Sequence, residues 1–425
     1  MIKRIKDKIR RYGFDDFIVS RVVKKETQRY LLRHNIESER EISSEQYEIT
    51  VYLDHFIDGK KYRGSYTFIF KPSENLDQYL NDARVGIALV KNRPYSMTAA
   101  EPFPEVKVFD SRIAAAKHLM NELTETIYRH SPDHEIRLSS AEIFLTDSHI
   151  ELHTSKGIEA QKRKGKIEVD ITILTAAGSN DAEINFNLVR RNCDDLDLPE
   201  RISDYKTYVR DMTRVQIPKS GKAVVVFPPT DFYNLFAPVI FHGSARAKDA
   251  GISRFNIDQP IMSKPAPENA ISISSNGLLA YGTYTDSFDA EGVRGQDCLV
   301  VDKGVLKRFW ATKQYADYLG IQPSGSFKNL VVSAGQNNPL NTGEYYQIIQ
   351  FSDFSPDALT GDFVAEIRFG YLHTGKSVVP VKGGSVTGNL FDRLSNIRLS
   401  GDEIFEGDYK GPSAIALDDL TIAGN

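Results

Sequence analysis

The chain is short of the residues that build covalent or metal-held scaffolds. Its 425 residues include two cysteines, Cys193 and Cys298. Two thiols cannot form a disulfide framework, nor can they alone complete a four-ligand zinc site. The nine histidines add little. His130 and His134 have the spacing of paired ligands, but Pro132 breaks any helix that would align them. His149 and His153 repeat the spacing in a segment that reads as strand. No apolar run approaches the roughly 20 residues of a membrane span. The opening MIKRIKDKIRRYGF is basic with no continuous apolar stretch behind it, unlike a secretory signal. A formal net charge of −4 gives no overall pull toward nucleic acid. No Gly-x-Ser-x-Gly, Walker A or dinucleotide fingerprint occurs, and Gly383-Gly384-Ser385 lacks the lysine and helix of a phosphate cradle. The expectation is a cytoplasmic protein with no membrane and no direct nucleic-acid partner.

At this length two domains are the default. In the first half, Ile2, Ile5 and Ile9 recur at helical spacing among basic residues, as in a short surface helix docked by its isoleucines. Residues 47–53 and 66–70 alternate as strands with Asp58-Gly59 as the turn between them. Leu76, Leu80, Ala83, Ile87 and Val90 step as a helix, with Ser73 as its expected cap and Pro94 beyond its end. A second helix carries Ile113, Ala116, Met120, Leu123 and Ile127. A β-meander follows, with Ile143 and Leu145, Ile150 and Leu152, then Ile167 to Ile173 in clean half-buried alternation. The basic run Gln161–Gly165 reads as a solvated hairpin tip and Ala176–Asp181 as a turn. Ile184, Phe186 and Leu188 supply a further strand.

Composition changes over residues 194–220, where the domain boundary is placed. Ala223–Phe227 is a continuous apolar strand, and Pro228-Pro229-Thr230-Asp231 opens a helix through Leu235 and Ile240. Gly- and Pro-punctuated short runs then continue with few helices. The fold class expected is therefore α+β: an N-terminal mixed helix/antiparallel-sheet domain, residues 1–205, followed by a mainly-β C-terminal domain, residues 206–425. Within the second half, Phe288–Ile321 reads as an acidic, glycine-bearing loop, a hairpin through Asp302-Lys303-Gly304, and a helix carrying Phe309, Ala316 and Leu319, stopped by Gly320.

Three blocks in this half carry a resemblance. The first is Phe288-Asp289-x-Glu291-Gly292-Val293-Arg294 with the Lys303-Gly304-Val305-Leu306 turn, Tyr315-Ala316-x-x-Leu319-Gly320 and Ser324-Gly325. The second is Tyr371, Val379-Pro380-Val381, Gly388-Asn389-Leu390, Asn396-Ile397 and Gly401-Asp402. The third is Leu420-Thr421-Ile422-Ala423-Gly424. Together, in this order, they resemble the TldD/PmbA family of metallopeptidases, also known as modulators of DNA gyrase. That resemblance implies proteolysis and maturation of unfolded peptides in the cytoplasm. Active members carry His-Glu-x-x-x-His on the helix after the apolar strand and a cysteine near the end. Here that helix has His242, followed by Gly243 where the glutamate would stand and Ala245–Lys248 where a second ligand would fall. The segment from Gly401 onward has neither cysteine nor histidine.

The resemblance is thus to the PmbA, or TldE, type, which implies no catalytic residues, no metal ligands and no cofactor in this chain. It implies a zinc-bearing TldD-type partner subunit, or a homodimer, around an unfolded peptide held by strand addition. The alternative is a self-contained homodimeric peptide- or ligand-binding protein without a protease partner. A dimer is expected because a mainly-β half must hide its sheet edges. The candidate peptide-binding residues are Asp289, Glu291, Gly292 and Arg294 in one loop, and Gly388 with Asn389 at an expected strand turn. Asp289 and Glu291 either face a peptide or bond their own backbone amides. Cys298, inside an expected strand, reads as a small buried hydrophobe.

Overall fold

The computed structural model describes residues 1–175, 181–262, 271–335 and 343–425. The expected turn Ala176–Asp181 lies, apart from Asp181, outside them. Helix α1 (Ile2–Arg11) is docked by Ile5 and Ile9, both fully buried. Strands β1 (Asp16–Leu32), β2 (Asn35–Ile57) and β3 (Lys60–Phe70) form an antiparallel meander. Asp58 and Gly59, at φ 51° and 74°, make the left-handed two-residue turn whose twist suits a hairpin. Helix α2 (Leu76–Ile87) is capped by Asn75, whose side chain accepts the Asp77 N–H, and not by Ser73. Both residue types cap well, so pattern alone did not separate them. A tight turn at Ser111–Ala115 leads into α3 (Ala116–His130), then β4 (Ile136–Thr154), β5 (Glu159–Thr175), β6 (Glu183–Arg190) and α4 (Leu198–Asp211).

These strands make one antiparallel sheet in the order β3-β2-β1-β4-β5-β6. Odd-numbered residues of β1 and β2 pack under α1 and α2, and the β4–β6 end packs under α3 and α4. All four helices therefore lie on one face, which leaves the other face to meet the rest of the chain. One expectation is corrected here. Gln161–Gly165 is not a hairpin tip but the middle of β5, paired with Glu151–Asp147 of β4. Period-2 alternation continues through its lysines, which the run of positive charge hid. The placed boundary at 205/206 falls within α4, whose Leu198, Ile202 and Val209 are buried with the first sheet.

The second half runs β7 (Gly221–Phe227), α5 (Phe232–Leu235), α6 (Ala237–His242), α7 (Ala245–Asp249), β8 (Ile273–Asn276), β9 (Asp297–Asp302) and β10 (Val305–Leu306). It continues with α8 (Lys313–Leu319), β11 (Asn329–Val332), β12 (Tyr345–Phe351), β13 (Asp362–His373), β14 (Val378–Val381), β15 (Ser385–Asn389) and α9 (Leu390–Arg393). The last elements are β16 (Arg398–Leu399), β17 (Glu403–Phe405), β18 (Tyr409–Pro412) and β19 (Ile415–Ala423). One sheet has the order β10-β9-β8-β11-β18-β17. The other, β12-β7-β19-β15-β13, closes on itself because β12 also pairs with β13. A closed barrel has no edges to hide, so the edge argument for a dimer rests on the other sheet, whose outer strands are β10 and β17. The shared core of this half includes Phe227, Phe232, Val300, Phe363, Val386, Tyr409 and Ile422. Phe309 lies before α8 rather than in it, while Gly320 ends that helix in the left-handed region as expected. The chain is α+β, mixed in its first half and mostly β in its second. Among the described residues no helix is long and apolar enough to cross a membrane.

Candidate functional site

The open face of the first sheet meets the second half at the loop Phe288–Arg294. The loop closes on itself: the Asp289 N–H donates to the Val293 carbonyl at 2.9 Å, and Phe288 bridges Arg294. Asp289 is 9% exposed. Its Oδ1 accepts the N–H groups of Glu291 and Val293, both at 2.9 Å. Glu291 Oε2 accepts the Lys313 N–H, in the first turn of α8, at 2.9 Å. Burial raises the Asp289 pKa and carries that of Glu291 to about 7, with the neighbouring Asp289 charge adding to the second shift. Gly292, at φ 77°, lies so close to β5's leading turn that a Cβ would fall 2.5 Å from Ile158 Cδ1. Arg294 reaches outward, half exposed, with Glu101 3.7 Å away. Asp289 is thus tied into its own loop's backbone, and Glu291 pins the loop to the start of α8.

Just before the loop is an ion cluster that sequence reasoning missed. Lys162 and Lys164 project from β5 onto Asp286 at 2.5 and 2.6 Å. Lys162 also donates to the Phe288 carbonyl at 2.6 Å and rests 3.9 Å from the centre of the Phe288 ring. Burial draws the Lys162 pKa down to about 8 against the pull of Asp286. Burial alone would raise the Asp286 pKa, but the two ammonium groups outweigh it and hold it below the usual carboxylate range. Arg191 completes the seam by donating to the carbonyls of Thr283 and Thr285. The available signal was the i, i+2 spacing of the lysines, which puts both on one face of a strand. A second seam joins Arg190 and Arg201 to Glu406, which is 7% exposed. It borders a cleft of about 240 Å³ lined by Tyr205, Tyr208, Pro228, Pro229 and Gln347.

Gly388 and Asn389 are not at a turn. Gly388 pairs with Phe363 in the barrel wall and lacks a positive φ. Its small size is what the site uses, since a Cβ there would meet the Leu420 side chain and lie 2.9 Å from Phe363 Cζ. Asn389 caps α9, accepting the Phe391 and Asp392 N–H groups, and its amide donates to Thr360 and Asp362. None of these partners belongs to the Phe288–Arg294 loop.

His242 ends α6 fully buried. Its Nε2 lies 2.8 Å from the Leu359 carbonyl and its Nδ1 accepts the Arg254 N–H at 3.1 Å. The rings of Phe241, Phe255 and Phe391 surround it. Burial keeps its pKa low, so the ring is neutral with one nitrogen donating and one accepting. Both nitrogens are committed, so this residue does not fit a zinc ion of the kind the His-Glu-x-x-x-His motif holds. Among the described residues no three His, Cys, Asp or Glu side chains converge in a metal-holding group. Cys298 is buried in β9.

Comparison with known proteins adds the following. Residues 220–424 match the family described as PmbA/TldA metallopeptidase C-terminal domain. A Haemophilus influenzae protein named as a metalloprotease PmbA homologue is 26% identical over 204 residues, covering 46% of this chain and 44% of its own length. The match spans about half or less of each of the leading curated relatives. Among solved structures, TldE from Thermococcus kodakarensis superposes with a TM-score of 0.82 at 14% identity, covering all of both chains. A Thermotoga maritima protein solved under the name of a DNA-gyrase modulator gives 0.80 at 17% identity, again over both full chains. At these identities the structural likeness establishes the fold.

Proposed function

The chain belongs, through its C-terminal half, to the TldD/PmbA family, and on that premise we propose that it is a non-catalytic subunit of a peptidase of this type. In this reading it works in the cytoplasm beside a zinc-bearing TldD-type subunit and handles unfolded peptides that the partner cuts. The observation that carries it is His242. The helix that bears the metal motif in active members here ends in an imidazole engaged at both nitrogens by backbone groups. Freeing it for a metal would leave the Leu359 carbonyl and the Arg254 N–H without partners, at about 1–3 kcal/mol each. In the candidate loop, Asp289 and Glu291 set the shape, while Arg294 presents the charge that reaches solvent. Gly388 and Asn389 shape the barrel-to-α9 corner, which forms a second part of the peptide wall.

The test is reconstitution with a zinc-bearing relative from the same cell and a fluorescein-labelled unfolded protein as substrate. This chain alone should release no fluorescent peptide, with or without added zinc. The mixture should elute as one complex and cut faster than the relative alone. Chelator-sensitive cleavage by this chain alone, or about one tightly held zinc per chain after dialysis, would overturn the reading.

A further inference from the structure

Strand β2 is longer than the strand that flanks it. β1 pairs along it as far as Asn35, but β3 covers only Tyr47–Ile57. Among the described residues, no strand or isolated bridge pairs the outer side of Asn35–Gln46. Apart from Ser38 and Gln46, the residues of this stretch are exposed. Elsewhere the barrel closes, and β14, β3 and β10 each carry one isolated bridge, to Gln216, Asn92 and Pro260. An open edge about a dozen residues long is a template for another extended chain.

The side chains say which chain fits. Glu37, Glu39, Glu41 and Glu45 alternate on one face of the edge, with Arg40, Ile36 and Ile42 on the other. Arg29, Lys117 and Arg21 reach Glu39, Glu41 and Glu45, whereas Glu37 has no ion pair among the described residues. A second copy of this edge is a poor occupant. Two-fold antiparallel pairing sets residues with a constant, even sum of numbers opposite each other. Every such register centred from residue 37 to residue 43 places glutamate against glutamate or arginine against arginine. Directly opposed like charges destabilise a sheet. We propose that Asn35–Gln46 takes up, by strand addition, an extended peptide with lysine or arginine at alternate positions. This rests on the peptide-handling reading above and names the class of peptide.

The experiment uses the full chain and two ten-residue fluorescent peptides, one alternating lysine and valine, the other glutamate and valine. Anisotropy should show the lysine peptide binding at least tenfold more tightly than the glutamate peptide, with affinity falling as salt rises. Hydrogen exchange should slow at Asn35–Gln46 when the lysine peptide is added. Glu37→Lys with Glu41→Lys, both exposed, should weaken that peptide at least tenfold and leave the melting temperature unchanged. Protection appearing elsewhere, affinity indifferent to the double variant, or an edge already protected in a homodimer without peptide would each overturn the proposal. These readouts need no partner. Loss of the edge proposal with reconstituted cleavage intact would spare the subunit reading, and the converse would spare the edge.

Discussion

Asp286→Asn tests whether the Lys162–Lys164–Asp286 cluster holds the two halves of the chain together. Side-chain exposure is 10% for Lys162, 22% for Lys164 and 10% for Asp286, so solvent does little to screen the three charges. The Lys162 pKa is about 8 against an ordinary 10.5 even with Asp286 in place. At pH 7 that depression already costs about 3 kcal/mol, at roughly 1.4 kcal/mol per pH unit. Asparagine keeps the shape and removes the charge that offsets this cost, leaving two ammonium groups side by side. Breaking a buried pair in this way costs about 3–5 kcal/mol. The sign with pH follows. A lysine whose folded pKa lies below its unfolded value makes the folded state bind fewer protons, so stability rises with pH through that window. For the native chain the window runs from about 8 to 10.5. In the variant it should open lower and the gain should be larger. Urea denaturation at pH 7 and pH 9.5, followed by intrinsic fluorescence, should show a large deficit at pH 7 that shrinks at pH 9.5. A variant as stable as the parent at pH 7, or a deficit indifferent to pH, would refute the claim that the cluster is a buried, charge-dependent joint.

Three further outcomes are expected. Gly388→Val should lower stability by about 1–3 kcal/mol through overpacking against Phe363 and Leu420, read as a lower denaturation midpoint; an unchanged midpoint would mean the barrel wall yields there. Glu291→Gln should stabilise the chain above pH 7, because a carboxyl whose folded pKa of about 7 exceeds its ordinary 4.5 loses stability as pH rises between those values; the ceiling is about 3 kcal/mol, and melts at pH 5 and pH 8.5 should show the gain only at the higher pH. Glu406→Gln strips the counter-charge from Arg190 and Arg201 and should cost about 3–5 kcal/mol, with proteolysis near α4 as the readout; an unaltered digestion pattern would count against that seam.

What the sequence made legible was what period and turn chemistry encode. Alternation located the strands at Tyr47–Leu53 and Ile167–Ile173, a continuous apolar run the one at Ala223–Phe227, and Asp58-Gly59 named its own turn. The motif blocks led to the family, because Phe288–Arg294 is a loop whose shape depends on residue identity: Asp289 must accept two backbone N–H groups, and Gly292 must pass Ile158. What stayed hidden was long-range pairing. Lys162 and Lys164 read as a solvated tip because their counter-ion, Asp286, lies more than a hundred residues later in the chain. Gly388 read as a turn because glycine signals positive φ and close approach alike, and only the barrel's closure shows that Leu420 and Phe363 require the second. The open edge at Asn35–Gln46 was invisible for the same reason. A strand's own residues announce that it is extended, but whether its outer hydrogen bonds are taken depends on where β3 begins and ends. Such relations between strands and loops place the committed imidazole of His242, the ionic joint at Asp286, and a sheet edge that no strand or isolated bridge among the described residues pairs.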